Sequence, residues 1–114
     1  MKILNTTKAT MIAECAIVAN TFLSRIIGLL NRKSLEAGEA LMITHCRSIH
    51  MFFMRFPIDA IFINKENRVV GLLFGIKPFR LSPVFWQASF VIELPIGSIE
   101  RSKTSVGDTL EIKE

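Results

Sequence analysis

The sequence predicts an α+β, mainly β domain: a compact curled sheet or small β-barrel-like fold, with one main helix over about 20–31 and a short second helix over about 95–103. Three observations carry this. Short β-branched, aromatic and apolar runs recur along the chain, each bounded by turn-forming residues. Only one stretch shows an apolar stripe at helical spacing. No strand–helix–strand alternation occurs, which argues against a doubly wound parallel sheet. The 114 residues suit one domain, 1–114.

Residues 2–5 read as a first strand. Residues 10–18 are β-branched and apolar on both faces apart from Glu14, which predicts a largely buried strand. Asn20 is placed to cap a helix on which Phe22, Leu23, Ile26, Ile27 and Leu30 form one stripe. Gly28 costs that helix about 1 kcal/mol relative to alanine, so close packing is expected there. Ser34 to Glu39 is a turn carrying Gly38, and Ala40 to Ile43 is a strand. Pro57 suits a strand start or an edge, not a central ladder position.

The clearest hairpin pairs Ile58–Ile63 with Arg68–Ile76 across Asn64-Lys65-Glu66-Asn67. Gly71 and Gly75 in its second strand predict bulges or bends. Lys77 to Pro83 is a loop, and Ala88 to Leu94 a strand ended by Pro95. Pro95 is suited to the first position of the short helix. Val106 to Thr109 turns into a last strand at Leu110 to Ile112.

Half of the residues are hydrophobic and mean hydropathy is +0.41. So short a chain struggles to hide that much apolar surface, which predicts a ligand or a partner subunit. A homodimer through the Met- and Phe-rich residues 51–56 is expected. The net charge of +4 is scattered, with no basic run longer than two residues, so nucleic acid is not an expected partner. No cationic leader opens the chain, and two cysteines, Cys15 and Cys46, read as reduced thiols of a cytoplasmic protein. The longest charge-free stretch, Leu81 to Ile92, is too short to span a bilayer.

The run Ile49-His50-Met51-Phe52-Phe53-Met54-Arg55-Phe56-Pro57-Ile58-Asp59-Ala60-Ile61-Phe62 closely resembles the signature of a small prokaryotic family, domain of unknown function 192. Further stretches resemble it in the same order: Ala19 to Leu30 with Arg25 and Gly28, Lys77-Pro78-Phe79-Arg80, Glu93-Leu94-Pro95 with Gly97, and Gly107-Asp108. The chain departs from the pattern at Met51, where a small or hydroxyl residue often follows the histidine. It departs again at Leu30-Asn31-Arg32 and at Asn67, where glycine is usual. The resemblance implies a curled sheet with a helix packed across it, and implies no activity.

His50 lies among apolar neighbours, either as a hydrogen-bonded core residue or at a pocket. Asp59 lies inside an apolar run, and a buried carboxylate must be paired or hydrogen-bonded. Arg25, Arg55 and His50 are its candidate charged partners, and backbone N–H groups are the structural alternative. Glu93, between Ile92 and Leu94, is either an outward strand residue or a pocket acid. The candidate ligand-binding set is therefore His50, Met54, Arg55, Asp59, Arg25 and Glu93.

His45, Cys46 and His50 do not make a convincing metal site. On a strand, Cys46 and His50 share a face but lie about 13 Å apart at ~3.3 Å per residue, too far to share one zinc. Cys46 has no surrounding thiol-enzyme motif and reads as inert. No phosphate-binding glycine loop is present, and no cofactor is expected. These readings rank a small binding module with a Met/Phe-lined pocket for a small ligand or peptide first. A homo-oligomeric assembly protein comes second, and a hydrolase-like enzyme using His50 with a carboxylate third.

Overall fold

The computed structural model describes residues 1–19, 35–44, 56–77 and 82–114. The expected helix over 20–31 lies outside them. The described elements are β1 (Lys2–Asn5), β2 (Thr10–Ala13), β3 (Cys15–Ala19), β4 (Glu39–Thr44), β5 (Ile58–Ile63), β6 (Val69–Ile76), β7 (Phe90–Pro95), α1 (Ser98–Ser102) and β8 (Leu110–Lys113). The fold is α+β and mainly β, as the sequence predicts. The strands divide between two open sheets and do not close into one barrel. One sheet has the order β2-β1-β8, the other β3-β4-β7-β5-β6. Among the described strands, all pairings are antiparallel except β3 with β4. Among the described residues no helix is long and apolar enough to cross a membrane.

The main core fills the space between the sheets. Ile3, Ile12 and Leu110 from the smaller sheet meet Ile61, Ile63, Ile92 and Leu94 from the larger, with Ile99 of α1. The opposite face of the larger sheet carries a second cluster that includes Leu41, Ile43, Ile58, Ala60, Phe62 and Val91. Side chains alternate along a strand, so β5 gives Ile58, Ala60 and Phe62 to one cluster and Ile61 and Ile63 to the other. All six of its residues are buried, which explains why the run is apolar on both faces apart from Asp59.

The β5–β6 hairpin follows the sequence closely. Asn64 Oδ1 accepts the N–H groups of Glu66 (3.0 Å) and Arg68 (2.9 Å), fixing the turn. Asn67 takes a left-handed φ of 60°, which asparagine tolerates better than most residues. Ladder shifts fall between Phe62 and Ile63 and between Ile58 and Ala60, placing one extra residue each time on β6, near Gly71 and Gly75. Gly75 has φ +57°, and a Cβ on Gly71 would run into the Phe85 ring. That ring packs on Phe62 with centroids 4.4 Å apart. Gly71→Ala should therefore destabilise by about 1–3 kcal/mol through overpacking, read as a lower urea midpoint. An unchanged midpoint would mean that Phe85 moves aside freely.

Two expectations are corrected. Residues 10–18 are not one buried strand. The chain breaks at Glu14, β2 joins the smaller sheet, and β3 becomes an edge of the larger. Ile17 and Val18 are 61% and 40% exposed, and among the described residues no strand pairs with the outer edge of β3. Pro95 does not open the short helix. It is the last residue of β7, opposite Ile58, where the ladder ends and needs no further N–H. The helix starts at Ser98 behind Gly97, whose φ of 90° makes the corner.

A buried polar cluster, unforeseen in the sequence, ties the β1–β2 turn to the approach to β8. Asn5 Nδ2 donates to Asp108 Oδ2 (2.9 Å) and Thr104 Oγ1 (3.1 Å), and Lys8 Nζ pairs with Asp108 at 2.8 Å. Burial pushes the Asp108 carboxyl up, but the bonds from Asn5, Lys8 and the Ser105 N–H, with the Lys8 charge, outweigh it and hold it below its ordinary value. Cys15 is an exposed free thiol, and Cys46 lies outside the described residues.

Candidate functional site

Asp59 is 1% exposed on β5. Its Oδ1 accepts the Gly75 N–H at 2.8 Å and its Oδ2 accepts the Ile99 N–H at 3.0 Å. The carboxylate thus pins the β6 bulge on one side and the first turn of α1 on the other. This is the structural role that backbone donors can satisfy without a charged partner.

Glu93 is also buried, at 7% exposure, so it is not an outward strand residue. It lies in register with Leu41 on β4 and Ala60 on β5, on the face that carries Val91. Among the described residues nothing is paired with it. Burial alone pushes its carboxyl up from 4.5 to about 7. Asp59 stands opposite Leu94 and therefore on the other face of the same sheet. The two acids expected in one site are separated by the sheet and do not converge. His50, Met54, Arg55 and Arg25 lie outside the described residues, as do His45 and Cys46.

A different concave region adjoins the hairpin. The connection before β7 carries Trp86, 76% exposed, and Val84, 46% exposed. With Val70, Phe85 and Gln87 they line an apolar cleft of about 330 Å³. Phe85 is the seated part of this wall, held by Phe62 and by the missing side chain of Gly71. Trp86 and Gln87 also line a second, more polar cleft of about 420 Å³ over the hairpin tip, with Asn64, Lys65, Glu66 and Ser89. The sequence held one signal for this region: a lone tryptophan in a short loop after Pro83, outside any apolar periodicity.

The family model of domain of unknown function 192, described as an uncharacterized ACR, matches residues 3–112. This chain belongs to that family. It is 36% identical over 111 residues to a UPF0127 protein of Pyrococcus furiosus, covering 95% of each chain. The fold matches the crystal structure of a protein of unknown function from Novosphingobium aromaticivorans, with a TM-score of 0.83 at 20% identity, covering 97% of this chain and 82% of that one. A second crystal structure, from Sinorhizobium meliloti, superposes with a TM-score of 0.79 at 19% identity, covering 96% and 89%. The resemblance seen in the motif around Asp59 thus extends over almost the whole chain.

Proposed function

We propose that this domain is a small binding module that takes an aromatic or apolar small molecule against Trp86. The exposed indole at the wall of an open cleft lined mainly by apolar side chains carries this reading. Its volume sits at the low end of the roughly 300–1,000 Å³ typical of small-molecule sites. A rigid aromatic presents much contact area at little entropic cost. The Met/Phe pocket near His50 falls on residues outside those described, so the support rests on the Trp86 cleft. Binding ranks ahead of hydrolase chemistry because both oxygens of Asp59 already serve backbone donors.

Trp86 is the single tryptophan, and the chain has no tyrosine. Its emission therefore reports directly on the cleft. Titration with benzyl alcohol should give a saturable blue shift as the indole leaves water. Calorimetry should show the binding lost in Trp86→Ala, in a variant that still unfolds cooperatively. Emission that stays water-like throughout the titration would count against the proposal.

A further inference from the structure

We infer that the ligand of the Trp86 cleft is a free aromatic α-amino acid, an inference that rests on the binding reading above. Trp86 and Gln87 line both clefts, so the two adjoin at the indole, and a ligand with its ring against Trp86 can extend its substituents toward the hairpin tip. There the second cleft presents one cation, Lys65, and one anion, Glu66. A ligand of single charge would meet one of them as a like charge. A zwitterion complements both, with its carboxylate toward Lys65 and its ammonium toward Glu66.

The turn that carries this pair is fixed. Asn64 Oδ1 accepts two backbone N–H groups, which commits that oxygen and leaves the amide NH₂ as the group able to donate to a carboxylate. The charges are exposed, so each contact should be worth only about a two- to fivefold change in affinity and should fade with added salt.

L-phenylalanine, 3-phenylpropionate and 2-phenylethylamine share a ring and differ only in charge. On the full chain, L-phenylalanine should bind about two- to fivefold more tightly than either analogue. Lys65→Ala should erase its advantage over the amine, and Glu66→Ala its advantage over the carboxylate. Both substitutions are exposed and should leave the melting temperature in place. Equal affinity for all three, or an analogue binding as tightly as the amino acid, would overturn the zwitterion inference while leaving an aromatic cleft. Failure of all three together with benzyl alcohol would overturn both.

Discussion

Glu93→Gln should make the protein more stable than the wild type above pH 7 and should flatten its stability between pH 4.5 and 7. Glu93 lies on a face built from Leu41, Ala60 and Val91, and burial raises its carboxyl from 4.5 to about 7. The folded state therefore holds a proton that the unfolded chain has already released across this window. Stability is unaffected by this group below pH 4.5, falls as pH rises toward 7, and carries the full penalty above it. A shift of this size corresponds to an order of 3 kcal/mol. Glutamine keeps the shape and the polarity of the protonated acid but cannot ionise.

Asp108 titrates with the opposite sign. Its carboxyl is held below the ordinary value, so its contribution is present above that value and is lost as pH falls below it. The difference between wild-type and variant urea curves at each pH cancels that background. A gain of about 1–3 kcal/mol at pH 8, with near identity at pH 4.5, is the expected result. Parallel curves across the range would show that the ionised carboxylate finds a partner in the folded state.

The hairpin was legible because its signals are local: Asn64 and Asn67 at the turn, β-branched residues on either side, and two glycines where the second strand bulges. The family motif was legible for the same reason, since its order survives along the chain. Sheet membership was not. Periodicity reports which residues are apolar, and Thr10 to Val18 looks the same whether it forms one strand or two strands in different sheets. Glu93 was ambiguous because alternation cannot say whether the second face of a strand is covered. The Trp86 cleft was not legible because its walls, Val70 and the Phe85 ring seated over Gly71, meet only in the packed molecule. The donors to Asp59 lie 16 and 40 residues away, and Asn5 meets Asp108 across 103 residues. Such partners are properties of the packed molecule.

Asp59→Ala should destabilise the fold by about 2–6 kcal/mol, the sum of two backbone donors that lose their acceptor at about 1–3 kcal/mol each. The Ile99 N–H is the costlier of the two, since Ile99 is 1% exposed and water cannot replace the carboxylate there. Gly75 is partly exposed, so its N–H can recover part of the loss from solvent. Against a total stability of roughly 5–15 kcal/mol, this one change would remove a large fraction. Asp59→Asn should fall between alanine and the wild type, because one of its two positions becomes an NH₂ facing an N–H. A catalytic or ligand-orienting role in a His50–Asp59 pair predicts the reverse pattern, with near-normal stability and lost binding. Urea denaturation of both variants separates the two. Midpoints that fall in the order wild type, asparagine, alanine mark Asp59 as the clamp between the β6 bulge and α1. A variant as stable as the wild type would mean that the two N–H groups find other acceptors and that the carboxylate is held there for chemistry.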